Sequence, residues 1–240
     1  MLFDKAILIA AYQRIDEDRI DRQFGSLNQD RQNEDVTVVS ITADLHKYLD
    51  AQESFEINYG AEYNYNDLTS TALRTNIETG TISPTIITRN LAAYALLKKS
   101  ISAIDLFGGL RYSNNGLNVR YNRSDDLPWP ESFYSGISTT NDALSWSFGT
   151  TYQSQQGLKL SGQISSAFRS PNIDDLAKIR VQSTEISVPN INLNPETSLN
   201  GELSISQNFA NKLNLSITGF ITNLDNAIVR DNFTLPDGTS

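Results

Sequence analysis

The chain contains no cysteine and one histidine, His46. A disulfide-stapled scaffold, a thiolate metal site and a cysteine nucleophile are therefore excluded, and so is any metal cluster or protease triad built on several histidines. Basic residues are also scarce. Lys and Arg number 19 against 28 Asp and Glu, leaving a formal charge of −9 over 240 residues. Nucleic acid is thus a poor partner, because neutralising phosphates needs a basic face. There is no apolar run long enough for a transmembrane helix, and Met1 to Lys5 lack the pattern of an export signal. None of this excludes a membrane β-barrel, whose strands are apolar on one face only.

What the sequence does contain is alternation with a period of two. Leu213, Leu215, Ile217, Gly219 and Ile221 fall on one face of an extended strand, with Asn214, Ser216, Thr218 and Phe220 on the other. The pattern recurs in Leu199 to Ser206, Leu158 to Phe168, Leu144 to Gln153 and Phe55 to Asn64, and none of the five apolar faces carries a charge. Val39 to Leu45 and Ile104 to Tyr112 follow it with exceptions such as Phe107. Ala6 to Tyr12 and Leu91 to Leu97 are apolar on both faces, so periodicity alone also permits short helices there; their β context favours strands.

Connections alternate in length. Short ones are expected at Leu49 to Gln52, Lys99 to Ile101, Ser154 to Gly157 and Ala210 to Lys212. Long ones are expected at Gly25 to Asn33, Leu68 to Arg89, Asn114 to Asp142, Arg169 to Glu196 and from Asp225 onward. In an up-and-down sheet every long loop then lies at one end and every tight turn at the other, as in outer-membrane barrels. The fold expected is all-β, an antiparallel up-and-down transmembrane β-barrel fragment of about nine strands. The alternative is a soluble β-sandwich acting as a carbohydrate-binding or adhesion module. Strand length and faces rich in Ser, Asn, Thr and Gln favour the barrel.

Two boxes flank one long loop, Phe168-Arg169-Ser170-Pro171 and Asn190-Ile191-Asn192-Leu193-Asn194-Pro195-Glu196. This pair resembles the Phe-Arg-Ala-Pro-like and Asn-Pro-Asn-Leu-x-Pro-Glu-like boxes of the TonB-dependent outer-membrane receptors. Ala11 to Arg19, Ser70 to Gly80 and Thr218 to Ala227 look like the same family. On physical grounds Ser170 and Pro171 suit an N-cap and first helical residue, with Asp174 and Asp175 in the first turn. Pro195 suits the residue before a strand, and Arg169 suits a partner for Glu196.

The resemblance implies a barrel of about 22 strands filled by a plug. Residues 1–240 are then a partial barrel domain with no plug domain present, and the expected origin is a fragment or a truncated gene. It further implies residence in the outer-membrane lipid, coupling to the TonB complex through an N-terminal region, and uptake of a scarce small nutrient such as a ferric siderophore or other metal chelate. Haem-uptake members would carry a His between the boxes, and Asn172 to Pro189 have none. Besides Arg169, the expected ligand contacts are Trp129, Phe133 and Tyr134, aromatics in a polar loop that could stack on a chelator or pack as an interfacial girdle. The acidic clusters Asp16 to Asp18, Asp125-Asp126 and Asp174-Asp175 lack calcium-loop spacing. No resident metal or cofactor is expected, and the absence of a phosphate loop or nucleophile elbow argues against an enzyme.

Overall fold

The computed structural model describes residues 1–73, 85–120, 135–176, 180–182, 185–187, 190, 192–210, 212–229 and 231. The main strands are β1 (Lys5–Asp21), β2 (Asp30–Tyr48), β3 (Phe55–Leu73), β4 (Thr85–Ile101), β5 (Ile104–Arg120), β6 (Ile137–Gln153) and β7 (Leu158–Arg169). A one-turn helix α1 (Ile173–Leu176) and the small strands β8 (Arg180–Gln182) and β9 (Glu185–Ser187) follow, then β10 (Glu196–Phe209) and β11 (Leu213–Asp225). Nine strands form one sheet in the order β1-β2-β3-β4-β5-β6-β7-β10-β11, and β8 pairs with β9 apart from it. Every pairing is antiparallel. The sheet is open, so β1 and β11 each have one hydrogen-bonded neighbour.

Cross-strand partners share a face, so the register carries the alternation of each strand across the sheet. One rung joins Ile101, Ile104, Tyr152, Leu160, Ile205 and Ile217. Another joins Ala6, Leu45, Tyr59, Ala95, Leu110 and Trp146. These belong to the outer face, which stays uncharged for most of the height above the turns and is marked at its edges by Phe55, Tyr152 and Phe209 near the turns and Tyr12, Tyr63 and Tyr112 higher up. Aromatic residues bordering an uncharged band in this way are the pattern of outer-membrane barrel walls. The opposite face carries Ser145, Ser147, Ser165, Glu62 and Arg111. Among the described residues no second sheet covers the outer face, and Ile217, Leu203 and Leu8 remain 73 to 75% exposed. The sandwich alternative is therefore not favoured.

Strands of the nine-stranded sheet run from 12 residues in β7 to 19 in β2 and β3, whereas a tilted crossing needs about 9–11. The surplus lies at the long-loop end, where β1, β2, β3, β4 and β5 continue beyond the apolar band with a largely polar outer face and a mixed inner face. Long loops are consequently shorter than the alternation suggests: β3 reaches Leu73, β4 starts at Thr85, β5 reaches Arg120 and β6 starts at Ile137. Cross-strand ion pairs brace the outer face of these extensions, with Arg14 Nη2 donating to Asp35 at 2.6 Å and Arg31 to Asp18. One short turn also moves. Lys99 to Ile101 are strand, and the chain reverses at Ser102-Ala103, where Ser102 takes φ 54°. Ala6 to Tyr12 and Leu91 to Leu97 are strand throughout.

The turn at residues 49–54 shows why that end is tight. Asp50 accepts hydrogen bonds from the Ser54 and Phe55 amides at 2.8 and 3.0 Å, from Ser54 Oγ and from Lys99 Nζ at 2.8 Å. Lys99, chiefly, together with Ser54, holds the Asp50 carboxyl well below the usual carboxylate range. His46, one strand-end away, shares a 3.0 Å hydrogen bond with Glu56 and meets the edge of Tyr48. It is a satisfied wall residue.

Candidate functional site

The two boxes turn out to be the two stems of one hairpin. Box one ends β7 and box two opens β10, and their register pairs Arg169 with Glu196 and Phe168 with Thr197. Arg169 lies on the inner face. Its Nε donates to Glu196 Oε2, and its Nη1 donates to Asp175 Oδ2 at 2.9 Å. The partnership with Glu196 expected from sequence is therefore present, and Asp175 joins it. Glu196 Oε1 in turn accepts the Ile228 amide at 2.7 Å, and Asn226 Nδ2 donates to the Pro195 carbonyl at 3.4 Å. One guanidinium and two carboxylates thus tie together β7, α1, β10 and the segment after β11.

The helix start differs from the expectation. Asn172, not Ser170, is the N-cap. Asn172 Oδ1 accepts the Asp175 amide at 3.1 Å, Asp175 Oδ2 accepts the Asn172 amide at 3.0 Å, and the Leu176 amide donates to the Asn172 carbonyl at 3.0 Å. This is a reciprocal capping box with a shorter acid at its third position. Ser170 Oγ instead accepts from Asn141 Nδ2 at 3.0 Å, and Pro171 is buried. Asp174 and Asp175 do occupy the first turn.

Across this hairpin the chain folds inward over the mouth. Leu176 is 1% exposed and packs with Ile86, Leu117 and Val119, and Ile173, Leu193, Leu68 and Ile137 border the cluster. The wall partners come from the inner face at the long-loop ends of β3, β4, β5 and β6. Box residues therefore divide their tasks. Arg169 and Glu196 clasp, Leu193 packs inward, Asn190 accepts the Asn192 amide at 3.0 Å, Pro195 precedes β10, and Phe168 lies on the outer face. Trp129, Phe133 and Tyr134 lie outside the described residues.

Lower on the inner face an open recess of about 550 Å³ is lined by Asp44, Glu62, Tyr94, Leu96, Arg111 and Ser147, among others. Arg111 reaches across β4 to Glu62 and also donates from Nε to Ser113 at 3.1 Å. The ion pair passes over Ala92, which is 1% exposed. Two glycines set the contour. A Cβ on Gly149 would sit 2.2 Å from the Phe107 ring, and one on Gly60 would sit 2.7 Å from the Tyr94 hydroxyl. Each aromatic occupies the space a side chain would need on its glycine partner, which explains how Phe107 is accommodated on the polar side. Among the described residues no group of three or more His, Asp and Glu side chains gathers as a metal site.

A single antiparallel up-and-down layer, uncharged outside and polar within, with long extensions at one end and tight turns at the other, defines the wall of an outer-membrane β-barrel. The family model described as TonB dependent receptor-like, beta-barrel matches residues 4–240, and the chain belongs to that family. Comparison with curated proteins returns no match. Among solved structures the chain is similar to the copper transporter OprC, with a TM-score of 0.74 and 12% identity over 93% of this chain and 36% of that one. It is also similar to the alcaligin outer-membrane receptor FauA of Bordetella pertussis, with 0.63 and 17% over 96% and 36%. A third is the Serratia marcescens hemophore receptor HasR, with 0.61 and 17% over 92% and 40%. The chain spans roughly two fifths or less of the length of these structures. The family consists of receptors and transporters of the outer membrane.

Proposed function

We propose that this chain is part of the barrel wall of an energy-coupled outer-membrane receptor that captures a scarce nutrient, such as a ferric siderophore or similar metal chelate, in its external loops. The observation that carries the reading is the continuous register, which aligns the uncharged faces of nine strands on one side and the polar faces on the other. Nine strands leave two sheet edges with donors and acceptors that lipid cannot satisfy, so further strands complete the barrel. Coupling is assigned to the TonB complex acting through a region outside residues 1–240. Transport relatives named for copper and for alcaligin support the class of cargo.

Trp129, Phe133, Tyr134 and Arg169 are the proposed ligand contacts, with Arg169 presenting to the mouth the part of its guanidinium that Glu196 and Asp175 leave open. The lack of a histidine between the boxes favours a chelate over haem. Uptake of labelled ferric or cupric chelates by cells carrying or lacking the intact receptor tests this reading. Uptake that requires both the receptor and TonB is expected; uptake indifferent to either contradicts it.

A further inference from the structure

The wall is not sealed evenly. Among the described residues, neighbouring strands of the nine-stranded sheet are matched along the whole length they share, with one exception. β6 pairs with β7 from Gln153 and Lys159 up to Ser147 and Ser165 and no further, although β6 continues to Ile137 and β7 to Arg169. Continued register would set Trp146 against Ser166, Ser145 against Ala167, Leu144 against Phe168 and Ala143 against Arg169, and among the described residues none of these pairs forms. Two serine side chains span the gap instead. Ser166 Oγ accepts the Trp146 amide at 3.0 Å, and Ser170 Oγ accepts Asn141 Nδ2 at 3.0 Å. Ser166 is the one hydroxyl in an outer row of β7 that otherwise reads Leu158, Leu160, Gly162, Ile164 and Phe168.

The gap falls at a definite depth. The outer row of β6 is uncharged from Tyr152 to Leu144 and meets its first charge at Asp142, so the unmatched stretch occupies the top of the band, toward the long loops and the outer leaflet. Backbone that leaves its ladder at membrane depth is tolerated only where protein or a cavity adjoins it, because hydrocarbon offers no hydrogen bonds. A cavity does adjoin this stretch. The recess of about 550 Å³ reaches the gap and is lined there by Ser145, Trp146, Ser147, Ser165 and Ser166. The inner lips, Ala143, Ser145 and Ala167, are small; the outer lips are Leu144, Trp146 and Phe168, with Leu144 63% exposed. We propose that this slit is a lateral port that admits the acyl chain of an amphiphile in the outer leaflet to the recess. Two arguments select an acyl chain. The outer lips are continuous with the uncharged face on which the membrane lies, so hydrocarbon reaches them without crossing water. Inside, Leu96 and the Tyr94 ring give the chain apolar surface beside the serines. Single side-chain hydrogen bonds close the slit where a ladder would supply several, so the two strands part here before they part elsewhere.

The proposal rests on the wall reading given above, and its test separates the two. A photoreactive benzoylphenylalanine replaces Ser145, Gln163 or Ile217, one at a time, in the intact receptor in native outer membrane loaded with a lysophosphatidylcholine whose palmitoyl chain ends in an alkyne. Ser145 stands on the inner lip of the slit, Gln163 on the inner face where β6 and β7 are matched, and Ile217 on the outer face. Adducts with the chain are expected at 217 and at 145, with the yield at 145 at least fivefold above that at 163. Residues 1–240 contain no cysteine, so Leu144→Cys with Phe168→Cys, in a receptor freed of any cysteine elsewhere, sets one disulfide across the slit. That bond needs Cα atoms about 4.4–6.8 Å apart and therefore draws the lips together. Forming it is expected to bring the yield at 145 down to that at 163, and reducing it to restore the difference. Equal yields at 145 and 163 overturn the proposal, as does a yield at 145 that the disulfide leaves unchanged. Absence of adduct at 217 would instead overturn the wall reading. Ala143 takes the place of Ser145 as the probe site should that variant fail to assemble, and a short bis-methanethiosulfonate bridge takes the place of a disulfide that does not form.

Discussion

Ile217 and Ser216 are neighbours in the chain and opposites in the wall. Ile217 pairs with Ile205 on the outer face and Ser216 with Ser206 on the inner. An arginine at 217 would lie near the middle of the apolar band, where it costs about 2–4 kcal/mol. In the full-length receptor Ile217→Arg is expected to reduce the folded, heat-modifiable form, whereas Ser216→Arg leaves it unchanged. Asp50 gives a pH-dependent counterpart at the turn end. Its carboxyl titrates below the unfolded value of about 3.9. The stability it contributes is therefore present above roughly pH 4 and is lost as pH falls through the lower folded value. Acid titration of the folded form should show a loss below pH 4 that is smaller in Asp50→Asn. The left-handed Ser102, at φ 54°, adds a third case. Ser102→Gly is expected to stabilise by about 1 kcal/mol, read in urea, because glycine takes that conformation without the Cβ clash.

Among the elements, the box hairpin depends on the Arg169 clasp and on the apolar underside of α1. Arg169→Gln removes the charge shared by Glu196 and Asp175, so hydrogen exchange at the Asp175 and Leu176 amides should accelerate while the strands stay protected. Leu176→Ala leaves the cap intact but empties the small core beneath it, at a cost of about 2–5 kcal/mol locally, and should produce the same acceleration. Unchanged exchange in both variants would mean that α1 is held by something else. The strands and their faces were legible in sequence because burial on one side only writes a period of two. The strand extensions were not, since their outer faces are largely polar, their inner faces mix apolar with polar residues, and ion pairs such as Arg14 with Asp35 brace them across the register. The N-cap was misplaced on Ser170 because Ser-Pro is a common helix opening, although Asn172 and Asp175 already stood at capping-box spacing. Ile15, Val36, Leu68, Ile86, Val119 and Ile137 form an apolar row at the mouth that draws one residue from each of six strands, so it becomes visible only once the strands are aligned.

At the scale of the molecule, a nine-stranded sheet in a chain that has, among the described residues, five buried aliphatic side chains is not stabilised by a conventional core. Such a wall is stable only where its apolar face and its sheet edges are covered, as lipid and neighbouring strands cover them in outer-membrane barrels. The measurement that tests this most directly is a spin-label scan from Leu213 to Ile221 in the complete receptor reconstituted into bilayers, comparing accessibility to oxygen with accessibility to a water-soluble relaxer. Odd-numbered positions are expected to favour oxygen and even-numbered positions not to, in strict alternation. A flat profile, or maxima for oxygen at even numbers, would contradict the assignment of the uncharged face to the membrane.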